Sequence, residues 1–146
     1  MDALLKNYTY HHIPNMIGEF PYGGIKIFEN WFHINFSLNY VENTGAAWGA
    51  FSSYSFYLIL IRVLLIALLI MMFVKASTNA KKAFLVLILA GACGNVLDYF
   101  IYGHVVDMFH FTFFNHSYGI FNLADTYIFL GIIGLLFCKN PQKAKS

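Results

Sequence analysis

The sequence predicts a membrane α-helical bundle with three full transmembrane helices and a short β-structured segment on its outer face. Three observations carry that prediction. The 146 residues are 59% hydrophobic and only 11% charged, with a mean hydropathy of +0.60, against about 25% charged in an ordinary soluble domain. Three apolar runs, at 54–74, 83–102 and 118–138, each approach the ~20 residues that a bilayer core requires. Six of the nine basic residues, Lys75, Lys81, Lys82, Lys139, Lys143 and Lys145, fall in the 75–82 loop or in the tail 139–146. The positive-inside tendency puts both in the cytoplasm. Residues 7–53 and 103–117 then face outward, and 1–146 reads as a single domain.

Taken in order, residues 1–6 are too short for a helix of consequence, and the chain reads as beginning in the middle of an element. His11, His12, Pro14, Gly18, Pro21, Gly23 and Gly24 follow, a density of breakers that argues for extended and turning chain outside the membrane. Ile34, Phe36, Leu38 and Tyr40 alternate with His33, Asn35, Ser37 and Asn39. Period two means a half-buried strand, paired with the segment around Ile25 and Ile27. It runs into VENTGAAWGAF, where Asn43, Thr44 and Gly45 signal a turn and Ala46 and Ala47 allow backbones to approach closely.

The first span carries a single charge, Arg62, which needs either a partner or an escape to the lipid surface. The second has Ala90, Gly91, Ala92 and Gly94 ahead of Asn95 and Asp98, so one face is made for close helix contact. Residues 103–117 read as a polar, aromatic, histidine-bearing outer loop. The third span sets Asn122 and Asp125 three apart on one helix face. Cys93 and Cys138 are too few for a disulfide framework and read as small packing residues.

Three carboxylates, Asp98, Asp107 and Asp125, lie in or at the edge of these apolar runs. An aspartate at mid-span costs about 2.5–3.5 kcal/mol on insertion scales and marks a functional site by default. Asp98 is expected about one turn below the outer surface, Asp107 in the loop beyond, and Asp125 about two turns down the next helix. Any one of them alone could cap a helix or meet an arginine. Three at one depth, with Asn95 and Asn122 on the same helix faces, point to chemistry. Two carboxylates in a poorly hydrated site cannot both ionise, so one keeps a proton and serves as acid while the other serves as base. Such a pair can activate a water to attack an amide. Arg62 is a candidate charge partner for Asp98, with snorkelling to lipid as the alternative. A competing set of metal ligands, His104, Asp107, His110 and His116, lacks the helical HExxH spacing, so neither a metal nor another cofactor is expected. No Gly-rich phosphate loop or basic nucleic-acid patch is present.

Four stretches resemble the lipoprotein signal peptidases (signal peptidase II), bacterial membrane aspartic peptidases. They are VENTGAAWGAF with Asn43 and Gly45, GACGNVLD with Gly94, Asn95 and Asp98, GHVVDMF with Gly103, Val106 and Asp107, and FNLADTYIFLG with Asn122, Ala124 and Asp125. The resemblance covers nearly the whole chain. It implies four transmembrane helices with a small β-cradle on the outer face. Asp2 and Lys6 match the Asp-x-x-x-Lys end of the family's first helix, so residues 1–6 are expected to be the end of a truncated helix whose start lies about 15–20 residues upstream.

The resemblance also implies that Asp107 and Asp125 form the catalytic dyad, while Asn43, Asn95, Asp98 and Asn122, with Gly45 and Val106 in the same motifs, line and order the site. The implied substrate is a prolipoprotein whose lipobox cysteine already carries diacylglycerol, cut just before that cysteine. The implied setting is the bacterial cytoplasmic (inner) membrane, with the site facing the periplasm and a monomer in contact with membrane lipids. This chain departs from the family in having Tyr99 where an arginine usually follows the aspartate matching Asp98. A different class of function is a catalytically idle relative, or a small subunit that passes protons or ions through its intramembrane acids. That path needs polar groups at several depths, and the inner halves of all three spans are almost purely apolar.

Overall fold

The computed structural model describes residues 1–45, 55–114 and 116–138. Its elements in chain order are α1 (Asp2–His12), β1 (Ile25–Trp31), β2 (Ile34–Asn43), α2 (Ser55–Lys75), α3 (Asn79–Tyr102), β3 (Val105–Phe113), β4 (His116–Ser117) and α4 (Leu123–Phe137). The close approach expected at Ala46 and Ala47 and the tail 139–146 lie outside the described residues.

Among the described residues two helices, over Tyr57–Lys75 and Asn79–Tyr102, are long and apolar enough to cross a membrane. At 1.5 Å per residue the 21 residues of α2 and the 24 of α3 reach roughly 32 and 36 Å, against a hydrocarbon core of about 30 Å. Leu60, Leu64, Leu65, Leu68 and Met71 leave α2 exposed and apolar on several sides, a surface suited to lipid rather than water.

α3 and α4 pack together through glycines. A Cβ on Gly91 would strike the Ala124 carbonyl, one on Gly131 the Phe84 carbonyl and Ile88, and one on Gly134 the Phe84 ring. Close backbone contact of this kind holds the start of α4 beside the second half of α3.

Four boundaries differ from the sequence expectation, each for a local reason. α1 does not end at Lys6 but continues to His12, with the Tyr8 and His12 rings stacked at 4.6 Å. It stops there because Pro14 forces Ile13 into extended backbone, φ −114° and ψ 125°. The lysine loop is shorter than 75–82, since Thr78 caps α3 by accepting from the Lys81 backbone N–H. Residues 103–117, expected as an outer loop, form β3 and β4.

The third span, expected over 118–138, becomes a helix only at Leu123, because Asn122 caps it and Phe121 is bridged in extended form to Phe109. Its 15 residues reach roughly 22 Å, so two of the three expected full spans have that length. Cys93 is exposed on α3 rather than packed.

The sheet is antiparallel in the order β1-β2-β3-β4. β1 pairs with β2 as the alternation predicts, with Ile25 opposite Leu38. Along β2 and β3, Leu38 faces Phe109 but Val41 faces Asp107, so β2 carries one extra residue at Asn39–Tyr40. That bulge shifts which β2 side chains share a face with Asp107. Without it Glu42 rather than Asn43 would take that side. The opposite face of the sheet buries Tyr40, Val106 and Met108 with Ile13.

Candidate active site

The site forms where the C-terminal half of α3, the start of β3 and the first turn of α4 meet. Asn122 is the N-cap of α4 and Asp125 its third residue, joined in a capping box. The Asn122 side-chain carbonyl accepts from the Asp125 backbone N–H at 2.9 Å, and Asp125 Oδ2 accepts from the Asn122 backbone N–H at 3.1 Å. Asp125 therefore lies in the first turn of its helix, not two turns down as expected. Its other oxygen, Oδ1, accepts from Asn95 Nδ2 at 2.7 Å.

Asp107, 3% exposed, is gripped in the same way. Asn122 Nδ2 donates to its Oδ1 and Asn43 Nδ2 to its Oδ2, each at 2.8 Å. One side chain, Asn122, thus touches Asp107 while its backbone holds Asp125. Burial pushes the Asp107 carboxyl up to about 7; the amide of Asn43 opposes the rise, the negative charge of Asp125 adds to it, and Asn122 and Lys6 pull it down.

The remaining expected residues fall around this pair. The Gly45 backbone N–H donates to Asn43 Oδ1 at 3.1 Å, which turns the Asn43 amide so that its nitrogen faces Asp107. The Gly45 carbonyl accepts from Arg62 Nη2 at 3.1 Å. Arg62 thus buttresses the turn behind Asn43, where the sequence reading had offered it to Asp98 or to lipid. Val106, fully buried, offers its N–H to Asp98 Oδ2 at 3.4 Å and its carbonyl to Asn122 Nδ2 at 3.3 Å.

The cation beside Asp98 is Lys6, a residue the sequence reading did not place at the site. Its ammonium lies 2.5 Å from Asp98 Oδ2 and 2.8 Å from Asp2 Oδ2, and donates to Asn95 Oδ1 at 2.9 Å. Asp2 Oδ1 in turn accepts from the Ala124 backbone N–H at 3.0 Å, at the start of α4. The visible signal was the Asp2, Lys6 pair at i, i+4, which sets both side chains on one helix face.

The histidines take other partners. His110 sits three residues beyond Asp107 on β3, so strand alternation turns its ring to the opposite face of the sheet, where its Nε2 meets Ser117 Oγ at 2.7 Å. His104 Nε2 lies 3.0 Å from the Tyr40 hydroxyl.

Two acids joined through Asn122 can hold one proton and pass it across a substrate amide. The family described as signal peptidase (SPase) II matches residues 1–139. The lipoprotein signal peptidase of Chlamydia pneumoniae is 40% identical over 111 residues, covering 74% of this chain and 66% of that protein. That of Lactococcus lactis subsp. cremoris (strain SK11) is 38% identical over 124 residues, covering 75% and 81%. Among solved structures, a bacterial membrane enzyme determined by the in meso method superposes with a TM-score of 0.77 at 26% identity, over 99% of this chain and 86% of the other.

Proposed function

The chain belongs to the signal peptidase II family, a family of lipoprotein signal peptidases, and from that premise we propose that it removes the signal peptide from diacylglyceryl-modified prolipoproteins by aspartic chemistry. Asp107 and Asp125 are the reacting pair. The observation that carries this reading is the double role of Asn122, whose side chain donates to Asp107 and whose backbone N–H donates to Asp125.

In the resting site the pair holds one proton, drawn to Asp107 by burial. The ionised partner, Asp125, takes a proton from a water, and the hydroxide equivalent adds to the carbonyl carbon just before the lipidated cysteine. Asp107, still protonated, polarises the carbonyl oxygen, and as the tetrahedral intermediate collapses Asp125 gives the proton it took from the water to the departing α-amino group of the cysteine. Neutral amide donors suit this task because they position a carboxyl through either protonation state.

The site sits at the end of α3 opposite its lysines. Lys81 and Asp98 are 17 residues apart on one helix, roughly 25 Å. With Lys75, Lys81 and Lys82 on the cytoplasmic side, the dyad works at the outer, periplasmic face of the bacterial inner membrane, where a membrane-anchored precursor presents its cleavage site. The protein acts as a monomer, with surrounding lipid as solvent for α2. Incubating the purified protein with a diacylated prolipoprotein should give the mass loss of the signal peptide. Equal cleavage of the non-acylated precursor would contradict the substrate assignment.

A further inference from the structure

Lys6 is wholly buried and has three protons to donate. All three find acceptors, on Asp2, Asp98 and Asn95. Two of these contacts tie α1 to α3. The one to Asn95 ends on an amide whose other end faces the dyad, since Asn95 Nδ2 donates to Asp125 Oδ1 at 2.7 Å.

An asparagine amide can sit either way round, and here its two neighbours decide. An ammonium only donates and a carboxylate only accepts. The reverse orientation would set NH₂ against NH₃⁺ and C=O against the Asp125 carboxylate, two repulsive contacts in place of two favourable ones. We propose that Lys6 is a positioning residue for the reaction: its ammonium, locked between Asp2 and Asp98, fixes the Asn95 amide so that an N–H always faces Asp125. This rests on the reading of Asp107 and Asp125 as the catalytic pair.

The charged groups around this device are Asp2 on α1, Asp98 on α3, Asp107 on β3 and Asp125 on α4. Without the ammonium the Asn95 amide is free to turn its oxygen toward Asp125. The ionised form of the pair then loses a donor and a nearby positive charge, so the pair holds its proton to higher pH. The substrate does not touch Lys6, which is fully buried, so ground-state binding should be spared.

The test is a double-mutant cycle on kcat with a diacylated prolipoprotein, using Lys6→Met, Asn95→Ala and the two combined. Lys6→Met is expected to lower kcat by about 100-fold, as small misplacements at a reacting centre do, with KM within about twofold and the alkaline limb of the pH profile moved upward. The double variant should lose no more than Asn95→Ala alone, because Lys6 acts through Asn95. Additive losses, an unmoved alkaline limb, or wild-type kcat in Asn95→Ala would each overturn the proposal. Should Lys6→Met not fold, Lys6→Met with Asp98→Asn keeps one net negative charge on the cluster, as in the wild type, and the same shift is expected. Asp125→Asn separates the two readings. Turnover surviving there sinks the dyad itself, whereas an inactive Asp125→Asn beside a Lys6→Met of wild-type kcat and pH profile sinks only the role of Lys6.

Discussion

Asp98 and Asp107 are equally buried, 3% exposed each, yet they are held by opposite kinds of partner. Asp98 shares a buried lysine with Asp2, and the trio joins α1, α3 and, through the Ala124 backbone, α4. Asp107 is held by the amides of Asn43 and Asn122, with Asn122 leading on to Asp125. An ion pair fixes position strongly, and separating its members strands a buried charge. Neutral amides fix position without neutralising anything, so the carboxyl they hold can still trade a proton. On the proposed reading one region builds the site and the other does the chemistry, although both are made of the same residue type.

If that division is right, substitutions should sort by region. The largest expected effect is in the amide-held pair. Asp107→Asn or Asp125→Asn keeps side-chain shape but removes a proton-transfer group, so each should cut turnover by about 10³-fold or more, and the double variant should cost little beyond either alone. Cleavage assays on the three variants check this, and independent losses would break the idea of a single device. Next comes Asp98→Asn, which leaves Lys6 with Asp2 alone. Stability should fall by about 1.5–3 kcal/mol, the worth of a hydrogen bond to a charged group, since Lys6 keeps Asp2, while kcat falls by less than about tenfold. A denaturation series beside the cleavage assay would show the reverse pattern if Asp98 took part in the chemistry.

A further effect is in the pH dependence of stability. The Asp107 carboxyl titrates at about 7 in the fold because burial raises it, against about 4 in an unfolded chain. A raised value means that its contribution to stability is complete below about pH 4 and is lost as pH rises through about 7. The Tm of the wild type, measured relative to Asp107→Asn, should therefore fall between about pH 4 and 7. A constant difference would mean that Asp107 does not carry the proton.

Much of the fold was legible because periodicity reports it. Alternation at Ile34–Tyr40 marked β2, and the long apolar runs marked α2 and α3. β3 carries the same alternation, Phe109, Phe111 and Phe113 against His110 and Thr112, but its polar residues and histidines read as loop. The capping box at Asn122 and Asp125 was visible as spacing and mistaken for a helix face, which displaced the start of α4 by five residues from the expected Tyr118. Two determinants of the site depend on partners far away in the sequence. The bulge that brings Asn43 to Asp107 is a property of strand pairing, and Lys6 meets Asn95 across 89 residues of sequence. Arg62 needed a partner on physical grounds, and it found a backbone carbonyl at Gly45 rather than an acid.

The claim that one proton is shared across Asp107 and Asp125 is tested most directly by the pH dependence of kcat/KM for a diacylated prolipoprotein, followed from about pH 4 to 9. The expected profile is a bell whose apparent values belong to the pair, with its alkaline limb near 7, where Asp107 gives up its proton. A profile that stays flat through neutrality, or keeps rising above it, would contradict the shared proton and with it the aspartic mechanism.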